Sequence, residues 1–430
     1  MKTTVIAEFR MVKIIAIVLV VMAATAFAQK NTPGTDKERN GSTSLNQLDL
    51  EVLGHFLSLA DLAAEALREE PADNSGSRNK TRLRDYPQFF VDSYAVRALA
   101  VAYELTGRER YFAACRAWSD RMLRHQSKMI PQGAYYMNYH RKPGESTGQW
   151  FVADCGSIAM GILSTAVRCT DETERKRYLD SARSFARLVM ENFVRKSGGI
   201  TDGYWKKSDK EWWCSTALFS AFAFQLYGMT GDEIYKKAAL NGVDWLLRFE
   251  YNGTILYKFE QGAPTTIFYI LEAYASGLPY FEPGSKRQQK VFERLSQTVE
   301  WITDNQTTEG TWDYNPDNWG VKLGGLPCHL LIYLKHVQEK SVRQREYIAP
   351  TGESISFENL VTRAAEKALH YFATKGPDCK AFTQKDAFTM MSYAEKLCPD
   401  ELYHKTSVKF PYQRYSEQEL SRLLKERRRR

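Results

Sequence analysis

The sequence has no disulfide framework. Its seven cysteines, at 115, 155, 169, 214, 328, 379 and 398, are odd in number and widely spaced, unlike the dense, even sets of small secreted scaffolds. One pairing, Cys379 with Cys398, stays open. It also has no basic face, although the formal net charge is +8. Lys2, Arg10 and Lys13 against Glu8 contribute +2, and Arg422, Lys425 and Arg427 to Arg430 against Glu426 contribute +5, which leaves +1 for the body. Nucleic acid is therefore not an expected partner, and the arginine tail reads as a solvated end. Long hydrophobic runs are missing too. The stretch from Ile14 to Ala24 falls short of the roughly 20 residues that span a bilayer.

That short run has a meaning of its own. Lys2, Arg10 and Lys13 precede it, and Ala26-Phe27-Ala28 follows it. A charged n-region, an apolar h-region and a small-residue exit make a secretory signal peptide. Residues 1–28 are expected to be removed, leaving a periplasmic or secreted protein with no stable membrane span. The remaining 400 or so residues exceed the usual 100–200 of one domain.

Repetition explains the length. Thr106-Gly107-Arg108-Glu109-Arg110-Tyr111 and Thr230-Gly231-Asp232-Glu233-Ile234-Tyr235 each follow an apolar helical run and open a second helix, which carries Trp118 or Trp245. Related segments lie at Glu172 to Tyr178 and at Lys290-Val291-Phe292, with Trp301 beyond. The aromatics 111, 178, 235 and 292 are 67, 57 and 57 residues apart. A fixed period of this size means one helical hairpin, repeated and stacked. In each hairpin the first helix is apolar on most sides, as in Phe219 to Tyr227, and reads as buried. The second has a one-sided stripe such as Tyr235, Ala238, Ala239, Val243 and Leu246. Six inner helices are predicted, at Phe89–Leu105, Trp150–Val167, Trp212–Tyr227, Ala263–Ala275, Leu326–His336 and Gln384–Leu397. Leu45 to Arg68 and Asn359 to Ala373 complete an outer layer. The expected fold is all-α: a toroid of six helical hairpins, (α/α)6, over residues 29–410, with a basic tail at 411–430. Short hairpin-like rim loops are expected at Ser197–Trp212 and Glu309–Gly325.

The rim segments are rich in aromatics. Trp150, Trp205, Trp212, Trp213, Trp312 and Trp319 lie there, with Tyr204. Such rings offer a flat apolar face with a polar edge, which suits a sugar; equally, they could pack the loops together. Asp92 in Phe89-Phe90-Val91-Asp92 and Asp154 in Trp150-Phe151-Val152-Ala153-Asp154 open adjacent inner helices, with Asp386 a weaker third. Singly, each reads as a carboxylate stabilised at a helix N-terminus. As a repeated pair, they could act as acid and base across a glycosidic bond.

With these features the chain resembles the six-hairpin glycosidase superfamily, and within it the unsaturated uronyl hydrolases. Those enzymes place two aspartates on consecutive inner helices and use one as acid and base toward a vinyl ether. The resemblance implies Asp154 as proton donor, crowded by Trp150 and Phe151, with Asp92 orienting the water or the ring. It implies an oligosaccharide or polysaccharide partner containing uronic acid, cleaved by a hydrolase or lyase without a cofactor. His140 and Arg141 would meet its carboxylate, and His329 joins the substrate-binding candidates. The Trp-Ala-Arg-Gly-Asn signature of part of that group is absent.

Two other classes compete. Cys214, Cys328 and His329 open inner helices and could hold zinc with one open site, as in the lanthionine cyclases, a similar toroid. A secreted scaffold that only binds glycan or protein is the third. Export itself has a direct check: the N-terminus of protein recovered from the periplasm or medium should be Gln29, read by mass spectrometry. Recovery of the intact Met1 form in the soluble fraction would contradict it.

Overall fold

A computed structural model describes residues 45–69, 83–84, 86, 88–138, 150–202, 209–248, 263–312, 324–337, 343–348, 352–375, 381–398, 402–408 and 413–429. By its contacts the chain divides after Leu45, and the unit from Asn46 onward holds every helix described. The expected signal peptide lies outside the described residues.

Thirteen α-helices are described. Six form the inner layer: α2 (Phe89–Thr106), α4 (Val152–Ala166), α6 (Trp213–Thr230), α8 (Ala263–Gly277), α10 (Leu326–His336) and α12 (Gln384–Leu397). Each packs on the next, and α12 packs back on α2. The ring is closed, as the repeat predicts. Outside it stand α1 (Gln47–Ala66), α3 (Glu109–Gln126), α5 (Glu172–Asn192), α7 (Glu233–Leu246), α9 (Lys286–Asp304) and α11 (Phe357–Lys375). Five hairpins are sequential. The sixth is made of α12 and α1, which come from opposite ends of the unit and pack together.

Burial follows the two patterns read from the sequence. In α6 every residue from Cys214 to Phe224 is buried, so no face is left for solvent. In α5 only Tyr178, Ser181, Ala182, Phe185, Ala186, Leu188 and Val189 are buried, a single stripe at i, i+3 and i+4. The repeated Thr-Gly ends the inner helix. Gly107 and Gly231 adopt φ +66° and +71°, and their N–H groups donate to the carbonyls of Tyr103 and Tyr227. This left-handed cap is open to glycine at little cost.

The anchor aromatics mark a clamp between outer helices. Tyr111 donates to Asp61 on α1 at 2.6 Å, and Arg110 pairs with the same carboxylate. One hairpin on, Tyr178 and Arg177 do the same to Asp120 on α3. Arg287 of α9 grips Asp244 on α7 through two bonds. The tryptophans form a second repeated link. Trp118 Nε1 donates to Asp92 and Trp245 Nε1 to Glu211, at 3.1 and 3.0 Å. In both cases an outer-helix indole holds an acid at the start of its own hairpin's inner helix.

Strand is scarce. The one ladder among the described residues pairs β1 (Glu346–Ile348) with β2 (Ser354–Ser356), Tyr347 opposite Ile355, just before α11. In the segment expected as a hairpin before α6, the described residues form the antiparallel bridges Val194 with Ile200 and Thr201 with Glu211. Nor is the basic tail simply solvated: α13 (Glu417–Arg429) buries Leu420 and Leu423 and packs on α1.

The chain before α13 runs across the C-terminal ends of the inner helices. Tyr403 is buried, with its hydroxyl 3.6 Å from Cys328 Sγ on α10 and its ring 5.2 Å from the Arg97 guanidinium on α2. His404 contacts the Ala275 carbonyl at the end of α8 at 2.5 Å, and its ring meets His336 at the end of α10. Lys405 pairs with Glu104 near the end of α2, and Arg414 donates to the Leu397 carbonyl that ends α12. Lys405 and Arg414 place positive charge at the negative ends of α2 and α12. This end of the ring is stoppered.

Glu104 is central to the stopper, because Arg168 of the neighbouring hairpin also pairs with it at 2.7 Å, both side chains being buried. Glu104→Ala should lower the unfolding free energy by about 3–5 kcal/mol, the usual cost of stranding one member of a buried pair. A urea midpoint equal to wild type would contradict this.

Candidate active site

Side chains from opposite members of a six-membered ring can meet only in its lumen. Arg97 of α2 and Glu272 of α8 do so, Nη1 to Oε1 at 2.5 Å. The second carboxylate oxygen, Oε2, accepts a bond from the Tyr94 hydroxyl at 3.2 Å, and that hydroxyl also lies 3.4 Å from Ser157 Oγ on α4. The Tyr94 ring packs on Phe388 of α12 at 4.5 Å between centroids. Tyr94, Ser157 and Glu272 are completely buried, and Arg97 is 1% exposed. Burial works against the Arg97 charge, but the adjacent Glu272 carboxylate outweighs it and holds the guanidinium above its ordinary value. The Tyr94 phenol is pushed well up, first by burial and then by Glu272. These groups form a floor across the lumen.

Asp154 stands above that floor. It lies in the first turn of α4, three residues before Ser157 and so on the same helix face. Val152 at the start of α4 donates to the Asp202 carbonyl at 3.0 Å, which ties this turn to the segment entering α6. Asp154 is 9% exposed.

Asp92 is placed differently. It is two residues from lumen-facing Tyr94, which puts it on the other side of α2. Its Oδ2 accepts from Arg84 at 2.6 Å and from Trp118 at 3.1 Å, and its Oδ1 from Tyr86 at 2.9 Å. Exposure is nil. Arg84 in turn donates to the Glu69 carbonyl, and Leu83 accepts from Phe382 just before α12. Asp92 thus anchors the segment that closes the ring. Asp386, the weaker third, forms a capping box with Thr383.

Among the aromatic candidates, Trp150, Trp212 and Trp312 are buried and Trp213 is half-buried. Trp150 meets Phe193 edge-on at 5.3 Å, Trp213 meets Trp245 at 5.1 Å, and Trp312 donates to the Ile302 carbonyl. Tyr204, Trp205, Trp319, His140 and Arg141 lie outside the described residues.

The alternative zinc set does not assemble. Among the described residues no three His, Cys, Asp or Glu side chains form a metal-binding group. The reason is depth. The Cys328 amide donates to Ser392, in the third turn of α12, and its thiol faces Tyr403, whereas Cys214 sits in the first turn of α6. The Cys398 thiol donates to Glu104 Oε2 at 3.7 Å, and Cys379 lies outside the described residues.

With this geometry in view, the comparisons fall into place. No protein-family model matches the sequence, and no curated protein matches it. Among solved structures, the chain resembles the unsaturated glucuronyl hydrolase from Bacillus sp. GL1, described as responsible for the degradation of glycosaminoglycan. The TM-score is 0.57 at 14% identity, covering 83% of this chain and 98% of that one. A possible member of the GH105 family from Salmonella enterica subsp. enterica serovar Paratyphi A gives 0.55 at 10% identity, covering 85% and 98%. The GH76A alpha-1,6-mannanase from Salegentibacter sp. HEL1_6 gives 0.50 at 15%, covering 80% and 99%. The fold that the chain shares with these structures is the (α/α)6 toroid.

His329, in the first turn of α10, is 1% exposed. Burial holds its imidazole down to about 3, against 6.5 in the unfolded chain. Between those values the unfolded state binds a proton that the folded state refuses. Stability is therefore full above about pH 6.5 and falls as pH drops toward 3. His329→Leu should narrow the difference between urea midpoints at pH 7 and pH 4. An unchanged difference would contradict the assignment.

Proposed function

We propose that the protein is a glycosidase whose proton-transferring group is Asp154, acting on an unsaturated uronyl oligosaccharide. The observation that carries this reading is the position of Asp154: it stands in the lumen wall, above a closed floor, at the end of the ring opposite the stopper. Asp154 is 9% exposed, whereas Asp92 is fully buried. Inverting hydrolysis needs two carboxylates about 6.5–9.5 Å apart with a water between them. Hydration of a vinyl ether can be run by one: the acid gives its proton to the double bond, and the carboxylate then takes a proton from the water that adds to the resulting cation. The hemiacetal so formed opens and releases the rest of the sugar. The likeness to the Bacillus glucuronyl hydrolase favours the same substrate class. In this reading Asp92 keeps the start of α2 and the ring closure in place.

Asp154→Asn should lower kcat on an unsaturated uronyl disaccharide by about 10²–10⁴, with a melting temperature close to wild type. Asp92→Asn should lower the melting temperature, since a buried carboxylate facing Arg84 is lost. If Asp154→Asn retains full activity, the assignment fails. If the intact protein binds glycans but releases no product from unsaturated, saturated or neutral ones, a binding scaffold replaces the enzyme.

A further inference from the structure

Helix α4 begins without a capping side chain. Its N-cap residue is Phe151, where serine, threonine, aspartate or asparagine would offer an acceptor to the free amides of the first turn. Those amides find partners on rim segments instead. Val152 donates to the Asp202 carbonyl, in the segment that enters α6, and Phe151 donates to Met137 Sδ at 3.1 Å, in the segment that precedes α4. Helix α6 follows the same plan. Its N-cap residue, Trp212, is also an aromatic, and its amide donates to the Ile200 carbonyl at 2.8 Å. At α4 a thioether stands where α6 uses a carbonyl.

Met137 has a second contact of this kind. Its carbonyl accepts from Phe89, which opens α2, at 3.2 Å, and α2 too starts without a side-chain cap. One fully buried residue thus joins the starts of two inner helices. Two residues earlier, Tyr135 is bound to α4 in both directions. Its amide donates to Cys155 Sγ at 3.4 Å, and its carbonyl accepts from the same thiol at 3.5 Å. Burial pushes the Cys155 thiol up, so the sulfur keeps its proton and can donate as well as accept. The two sulfur contacts fall at positions 151 and 155, on either side of Asp154 in the chain.

We infer that Met137 and Cys155 are positioning residues for Asp154: by binding the segment Tyr135–Met137 to the first turn of α4 they set that turn against α2, and with it the place of the carboxyl group. This rests on the reading of Asp154 as the proton-transferring group. A reacting group misplaced by about 1 Å can cost ~10²-fold in rate, so the hold on the turn matters even though a thioether is a weak acceptor.

The test is a double-mutant cycle in the full chain. Met137→Leu keeps the apolar volume and removes the sulfur acceptor. On an unsaturated uronyl disaccharide it should lower kcat about tenfold or more, with KM within about twofold of wild type. In the Asp154→Asn background the same substitution should leave kcat nearly unchanged, because a residue that acts through Asp154 has nothing left to position. Equal losses in the two backgrounds overturn the inference, since Met137 then serves the fold alone. The bond itself is read without substrate, from hydrogen exchange of the Phe151 amide in protein labelled with 15N-phenylalanine, its signal identified by loss in Phe151→Leu. Exchange should quicken about five- to tenfold in Met137→Leu, the effect of one hydrogen bond. If Met137→Leu does not fold, Cys155→Ala, which frees Tyr135 from α4, takes its place in the cycle. Its loss of kcat should likewise vanish in the Asp154→Asn background, and equal losses there overturn the inference. Absence of turnover in wild type removes the enzyme reading, whereas an unchanged Phe151 exchange rate with turnover intact removes only this inference.

Discussion

The structure depends on one buried ion pair that crosses the ring. Arg97 and Glu272 come from opposite inner helices, α2 and α8, and meet where the lumen would otherwise be hollow. A pair taken out of water adds little net stability, yet losing either member strands a charge at a cost of several kcal/mol. It therefore fixes which helices face each other more than it strengthens the fold. Tyr94, Ser157 and Phe388 join at the same place, so α2, α4, α8 and α12 are tied together there. Tyr403, laid over Arg97 from the far end, brings the stopper to the same centre.

From that constraint the rest follows. A floor crosses the lumen, and the stopper lies behind it, at the end away from the starts of the inner helices. Those starts carry the carboxylates Asp92 and Asp154, and the packing separates them. Asp92 has an outer-helix tryptophan as partner, as Glu211 does two hairpins on, whereas α5, the outer helix behind Asp154, contains no tryptophan. Similar sequence positions thus have different surroundings: Asp92 is fully buried among three donors, and Asp154 is 9% exposed.

Much of this was legible in the sequence, for a physical reason. Inner and outer helices differ in how many sides they bury, and that difference is written as composition and period. All six inner helices lie within a few residues of their predicted ranges, from Phe89 to Leu397. Tyr111 and Tyr178 were legible as repeat markers, but their partners Asp61 and Asp120 were not, because surface acids are common and only the fold pairs them. The tryptophans were ambiguous, because an aromatic ring that packs a loop and one that lines a cleft have the same sequence appearance. The floor itself left a signal: Arg97 and Glu272 are charges buried inside apolar helices, where an unpaired charge would be prohibitively costly. Each therefore implied a partner across the core.

The most direct measurement is a crystal structure of the Asp154→Asn protein with an unsaturated uronyl disaccharide. The sugar should lie in the mouth at the inner-helix starts, its reacting atom within hydrogen-bond reach of residue 154, with the Arg97–Glu272 floor beneath it and the Asp92 cluster undisturbed. A sugar bound elsewhere, or one that reaches Asp92 by displacing Arg84, would contradict the account.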